Sequence, residues 1–242
     1  MKKLTSLILS AVLLLAALAA CAGGTDPTPT AGDTPSPDPL PPITAAVGDI
    51  IEFGGYEWRV PDVSGGKALL LSEYILECRP YNEEYADVTW EVCTLRAYLN
   101  GEFYESFGIC ERERIVTVTN QNLDNQWSEA KGGNDTQDKI FLLSLSEVVK
   151  YFGDSGQLQN KPSSAIWFIN DDFNEKRIAF HLDAGQNYIY NGKNLGAWWW
   201  LRSPGLESTG AALVREGIVF VDGYYVSQAD GGLRPAFWVT VP

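Results

Sequence analysis

A single histidine, His181, is all the imidazole that the 242-residue chain contains. That scarcity argues against a zinc site built on clustered histidines, and it leaves a Ser-His-Asp triad with one residue to draw on. No serine sits in a Gly-x-Ser-x-Gly elbow, so nothing supports such a triad. His181 lies in the alternating segment RIAFHLDAG and reads as an ordinary strand histidine, on the surface or satisfied within the fold. Cysteine is also scarce: Cys21, Cys78, Cys93 and Cys110, with none after Cys110. Cys78, Cys93 and Cys110 form an odd set. Two of them could bridge, or all three could pack as reduced thiols that behave as small hydrophobes. None stands beside a recognisable base in the sequence. Basic residues are outnumbered, 18 Lys and Arg against 31 Asp and Glu, for a net charge of −13. Such a chain repels phosphate backbones, which argues against nucleic acid as a partner.

Long apolar runs are missing as well, apart from Leu4–Leu18, which is short for a membrane span. With Lys2 and Lys3 ahead of it, this run reads as the core of a leader. Leu18-Ala19-Ala20-Cys21 follows and resembles the lipobox of bacterial lipoproteins. The resemblance implies a signal peptide over residues 1–20 and diacylglycerol on the Cys21 thiol. It implies an extracytoplasmic protein, anchored by lipid to the bacterial cell membrane. Residues 21–46 hold the lipidated cysteine and a Pro/Thr/Asp-rich linker that lacks the apolar area to fold. Fully extended, such a linker reaches roughly 70–80 Å at about 3.1 Å per residue. The folded domain is expected over residues 47–242.

What the domain has in abundance is aromatic and apolar surface: eight tryptophans, and 45% hydrophobic residues, enough for one substantial core. Two stretches stand out, AWWWLRSPG at Ala197–Gly205 and GGLRPAFWV at Gly231–Val239. Arg202 and Arg234 sit inside these apolar runs. A buried guanidinium needs carboxylate or carbonyl partners, so both read as structural braces. Strand alternation puts Trp199 and Leu201 on one face, and Trp198, Trp200 and Arg202 on the other. Trp198, at the start of the run, is the tryptophan left to meet a ligand.

The first strands are expected at Asp49–Phe53, Tyr56–Val60 and Ala68–Tyr74, with Pro61 ending the second or marking an edge. Thr89–Phe107 reads as helix, N-capped by Thr89 and broken near Asn100-Gly101. Ile115–Thr119 reads as strand, Asn120–Thr136 as a long polar loop of the kind that often carries function, and Asp138–Leu143 as a short buried strand. Ser144 and Glu147 form a capping box for a helix over Leu145–Phe152, which Gly153 stops. Short strands follow at Trp198–Arg202, Ala211–Arg215, Ile218–Val221, Tyr224–Val226 and Phe237–Val241. Glu216-Gly217 and Asp222-Gly223 are placed as hairpin turns. This order defines an α+β domain with two main helices and a loop-rich half.

The ordered set YEWRV (Tyr56–Val60), Trp90-Glu91, LNGEF (Leu99–Phe103), DKIFLLS (Asp138–Ser144), WWLRSPG (Trp199–Gly205) and GLRPAFW (Gly232–Trp238) resembles a bacterial domain of unknown function carried by lipoproteins. That family resembles the C-type-lectin-like fold, which also includes the formylglycine-generating enzymes. The resemblance implies that the terminal strands pair as neighbours, and that ligands are met by loops in Pro204–Asp230. The enzymatic relatives need a reactive cysteine pair in the C-terminal part, which is missing here. The sugar-binding tripeptides of calcium-dependent lectins are missing too. No cofactor or metal site is expected. Asn134, Asp135 and Asp138, or Asn170, Asp171, Asp172 and Asn174, carry oxygens that calcium accepts, but they match no EF-hand and read as solvated loops. The expected function is a non-enzymatic binding module for a glycan or protein ligand. Tyr188, Tyr190, Trp198, Tyr224 and Tyr225 are the candidate contacts. The alternative is an extracytoplasmic enzyme that acts on cell-wall or secreted polymer through acidic residues.

Overall fold

The structure, a computed structural model, describes residues 41–190 and 192–242. The expected leader, Cys21 and the linker up to residue 40 lie outside the described residues. Among the described residues no helix is long and apolar enough to cross a membrane.

The chain opens with the meander β1 (Ile50–Phe53), β2 (Tyr56–Ser64) and β3 (Lys67–Ser72), then β4 (Glu77–Cys78). Helices α1 (Thr94–Tyr98) and α2 (Ile109–Arg112) lead to β5 (Ile115–Val116), β6 (Val118–Asn120) and β7 (Thr136–Asp138). Next come α3 (Leu145–Phe152), β8 (Phe168–Ile169), α4 (Asn174–Arg177), β9 (Ile189–Tyr190) and β10 (Lys193–Asn194). The terminal block is β11 (Trp199–Pro204), β12 (Gly210–Arg215), β13 (Ile218–Tyr225), β14 (Gly232–Leu233) and β15 (Ala236–Thr240). Two main sheets result, in the orders β1-β2-β3-β15-β5 and β4-β14-β11-β12-β13-β8. This is an α+β fold dominated by sheet. Its N-terminal strands and its last strand do share a sheet, but β15 pairs with β3 and β5, not with β1.

Every residue of β11 is buried, so the Trp-rich run has core on both faces. Trp199 meets Phe152 of α3 at 6.4 Å between ring centroids, and Trp200 meets Tyr81 at 5.9 Å. Trp58 of β2 and Phe237 of β15 cluster with Phe107, which lies just before α2, with the Trp58 and Phe237 rings 4.5 Å apart, edge to face. Such tilted and edge contacts suit the ring quadrupole.

Several local readings are corrected. Pro61 does not end β2; it lies inside the strand, within the register shift between Arg59 and Asp62, where the ladder is already interrupted. Helix α1 starts five residues after Thr89. Thr89–Val92 forms a turn, and the Cys93 thiol caps the helix by accepting from the Arg96 N–H at 3.4 Å. The break near Gly101 is a π-helical stretch at Leu99–Phe103 with non-helical Gly101. Asp222-Gly223 is no hairpin turn: β13 runs through it to Tyr225, with a bulge between the pairs at Ala211 and Leu213. Gly223 has φ +74, and a Cβ there would come within 2.2 Å of the Ala211 carbonyl oxygen, so only glycine fits the bulge. Asp138–Leu143 is strand only at Asp138 and in the isolated bridge of Phe141 to Ala236.

The Ser144–Glu147 capping box forms as read, with Ser144 Oγ accepting from the Glu147 N–H at 3.2 Å and Glu147 accepting from the Ser144 N–H at 2.8 Å. The long loop before β7 is tied down by asparagine. Asn125 is buried, and its Nδ2 donates to the carbonyls of Pro204 at 2.9 Å, Gly205 at 3.0 Å and Val221 at 2.8 Å. The loop therefore acts as a clamp on β11 and β13. Asn125→Ala removes a donor from three carbonyls, of which Gly205 keeps Ser128 Oγ at 3.0 Å, and should lower stability by about 1–3 kcal/mol, read as a shift in the urea midpoint.

Candidate functional site

A cavity of about 500 Å³ opens at the start of β11. Gly196, Ala197 and Trp198 form one wall, and Arg215 and Glu216 of the β12–β13 turn form another. Cys78, His181, Tyr188 and Asp230 complete it. Six separate stretches of the chain meet here, so no local pattern announces the site. Glu216 has φ +54, an uncommon backbone for a residue with a side chain. Gly217 beside it completes the turn that pairs Arg215 with Ile218, as the sequence suggested.

The lone histidine is buried, and its Nε2 lies 3.8 Å from the Cys78 Sγ. Backbone contacts set this approach. Ile75 and His181 form a parallel bridge, with the Ile75 N–H donating to the Phe180 carbonyl at 2.8 Å and the Leu182 N–H to the Ile75 carbonyl at 2.9 Å. The His181 N–H donates to Asn187 Oδ1 at 2.7 Å. Three residues on, Cys78 is held opposite Gly232 by the pairing of β4 with β14. The expectation that no cysteine stands beside a base is thus overturned for Cys78. Burial pushes the Cys78 thiol up, helped by the carboxylates of Asp230 and Glu77. Burial pulls His181 down, against the opposing charge of Asp183. The resting pair is a neutral thiol and a neutral imidazole. Cys78, Cys93 and Cys110 are all outside any disulfide.

Next to the cavity runs a strip of aromatic rings. Trp198 packs edge to face on Trp200 at 4.7 Å and on Tyr224 at 6.1 Å. Tyr224 and Tyr225 stack at 5.9 Å with 26° between planes, and Tyr85 meets Tyr225 at 5.4 Å. Tyr85, Tyr225 and Tyr224 are 60%, 53% and 48% exposed, so the rings end in solvent and not in the core. The Trp198 indole donates to Asp230 Oδ2 at 3.4 Å, which fixes the ring at the cavity edge. A hollow of about 340 Å³ lies beside the middle of the strip, lined by Leu206, Glu207, Asp222, Tyr224 and Tyr225 among others. Burial raises the Asp222 carboxyl there, against hydrogen bonds from its own and the Gly223 backbone.

Trp198, Tyr224 and Tyr225, all candidates from sequence, are brought together. Tyr188 is exposed and joins them as part of the cavity lining. The backbone of Tyr190 is in β9, but its side chain lies outside what is described. Tyr85, Asp230, Glu216 and the Cys78–His181 pair were not read from sequence. Tyr85 sits in a polar, aperiodic segment, and the others depend on contacts across the whole chain.

Arg202 donates to the Leu142 carbonyl at 2.7 Å, to that of Gln121 at 3.4 Å, and to the Glu147 carboxylate. Glu147 thus caps α3 and pairs with a buried guanidinium at once. Arg234 donates to the Ser72 carbonyl at 2.9 Å and lies over the rings of Trp199 at 5.0 Å and Phe152 at 5.4 Å. Burial pushes its guanidinium down to about 10. The two oxygen-rich sets weighed for calcium are organised by other partners. Asp138 is buried and accepts from Trp90, Asn120, Thr136 and Arg96. Asp171 is engaged by Arg177. Among the described residues no group of three or more His, Cys, Asp or Glu side chains is arranged to hold a metal ion.

These features define a two-sheet α+β domain with an exposed aromatic strip beside a cavity. The chain belongs to the family DUF6273, described as a domain of unknown function, whose match spans residues 65–241. No curated protein and no solved structure matches the chain.

Proposed function

We propose that this protein is a lipid-anchored, extracytoplasmic binding module and that the strip Tyr85–Tyr225–Tyr224–Trp198 grips a glycan. The strip itself carries the reading. Sugar rings present C–H faces that stack on exposed aromatics, and carboxylates beside the rings accept from sugar hydroxyls. Asp230 at the Trp198 end and Glu207 in the hollow beside Tyr224 and Tyr225 supply such acceptors. A protein ligand would use the same rings as anchors. The anchor at Cys21, the linker and a C-type-lectin-like relationship belong to the same proposal. They rest on the Leu-Ala-Ala-Cys motif, the linker composition and the ordered WWLRSPG and GLRPAFW motifs.

A glycan array probed with the purified protein tests the reading. Tyr224→Ala should weaken binding by about 2 kcal/mol, roughly thirtyfold in Kd, with the melting temperature unchanged because the ring is exposed. Array binding that is indifferent to Tyr224 and Trp198 together would exclude the strip as the binding surface. A second reading, hydrolysis of a wall or secreted polymer, is favoured by Glu216 and Asp230 sharing one cavity. It requires polymer turnover that Glu216→Gln or Asp230→Asn abolishes.

A further inference from the structure

The glycan reading leaves the thiol in the cavity without a task. We propose that Cys78 and His181 form a nucleophile–base pair and that the cavity is an acyl-transfer site, taking the carbonyl of an activated ester or thioester.

Three observations carry this. Sγ and Nε2 are 3.8 Å apart, within reach for a sulfur hydrogen bond, and both groups line the same cavity. The pair is positioned by backbone on both sides, through the Ile75–His181 bridge and the Cys78–Gly232 pairing, and not by flexible side chains. The third is a positive charge: Arg215 lines the cavity too, its guanidinium over the Phe220 ring at 4.6 Å, and is the group that would meet a developing oxyanion. Cys93 has none of this setting: it is buried, caps α1, and burial pushes its thiol up to about 12. Cys110 is half-buried on α2, outside the cavity lining.

The step balances without a metal or a redox partner. The Sγ lone pair attacks the acyl carbon while Nε2 takes the S–H proton, and the carbonyl oxygen becomes an oxyanion facing Arg215. The tetrahedral centre collapses, the bond to the alcohol or thiol leaving group breaks, and that group departs with the proton from Nε2. A thioester remains on Cys78. Water then adds to it with Nε2 as base, which releases the acid and restores the thiol. Because the resting thiol is not ionised, the base has to act during the attack, so the histidine should be felt in the rate.

The test is acetylation of the full-length protein by p-nitrophenyl acetate, followed by p-nitrophenolate release and by peptide mass spectrometry. The expected result is acetyl on Cys78 ahead of Cys93 and Cys110. Cys78→Ala should abolish the fast phase, and His181→Gln should slow it by about 100-fold. The site distribution in the unmodified protein decides the matter even if a His181 variant fails to fold. Acetyl on Cys110 in preference to Cys78 overturns the proposal, and so does Cys78 acetylation that folded His181→Gln does not slow.

Discussion

Asp138→Ala should cost the fold about 3–5 kcal/mol, among the larger losses available from one side chain outside the aromatic core. Asp138 is fully buried, yet its carboxylate is crowded with donors. Trp90 Nε1 approaches at 3.0 Å, Asn120 Nδ2 at 2.8 Å, Thr136 Oγ1 at 2.6 Å and Arg96 Nε at 2.6 Å. These partners come from the turn before α1, from α1, β6 and β7, so one residue ties the helical region to the small sheet. Removing it leaves four donors bare, and the Arg96 charge is the most expensive to strand. Arg96 keeps only carbonyl partners, Glu91 at 2.9 Å and Gln137 at 3.2 Å. Asp138→Asn should rescue little, because the amide turns a donor toward donors. Adding Arg96→Met to Asp138→Ala should recover part of the loss, since the stranded charge goes with it. Urea midpoints measure all three, and a loss below about 1 kcal/mol for Asp138→Ala would show that the carboxylate is not a hub.

Arg177→Met should be similarly severe at neutral pH, about 3–5 kcal/mol, because it leaves Asp171 as a buried unpaired carboxylate. Arg177 is fully buried and grips Asp171 with both ends, at 2.8 Å to Oδ1 and 3.2 Å to Oδ2, while donating to the Gly153 carbonyl at 2.7 Å. Its own carbonyl accepts from Trp199 Nε1 at 3.3 Å, so the pair also supports β11. Burial pushes the Asp171 carboxyl up, but hydrogen bonds from Arg177, Ser155 and the Phe173 N–H outweigh it and hold the group below its ordinary value. The folded state therefore binds this proton less readily than the unfolded state. Its stabilising contribution is complete above an unfolded carboxylate value of about 3.9, and is lost as pH falls through the lower folded value. In the variant only Ser155 and the Phe173 N–H oppose the effect of burial, so the carboxyl takes up its proton more readily than in the unmodified protein and acid relieves it. The stability gap between the two proteins should narrow from pH 7 to pH 3. A gap that stays constant would mean that Arg177 acts by packing alone.

Much of this fold was legible where the signal is local. The Ser144–Glu147 capping box needs three residues of separation and a hydroxyl–carboxylate match, and it appears at the positions read. The tryptophans of β11 announce a buried strand because no solvated face would carry them. The limits are equally physical. Asp222-Gly223 has hairpin chemistry, but a left-handed glycine serves a bulge as well as a turn, and tertiary pairing with β12 chose the bulge. A cysteine cap for α1 leaves little trace in the sequence, because sulfur is a weak acceptor and Thr89 has the better capping propensity. For the candidate site, exposed tyrosines and Trp198 could be picked by residue type. Their assembly could not, because Tyr85 reaches Tyr225 and Cys78 reaches His181 across more than a hundred residues. Arg177 carries no sequence signal for a related reason: its partner Asp171 sits in a polar stretch that reads as solvated loop.

In the proposed function the aromatic strip, and not the Trp-rich core strand as such, meets the ligand. Tyr85 is the informative ring, because only the fold connects it to the other rings. Calorimetric titration of a glycan identified on the array, against the unmodified protein and Tyr85→Ala, is the decisive comparison. A continuous strip predicts about 1–2 kcal/mol of lost affinity for Tyr85→Ala at an unchanged melting temperature. Equal affinity in the two proteins, with ligand still bound, would contradict it.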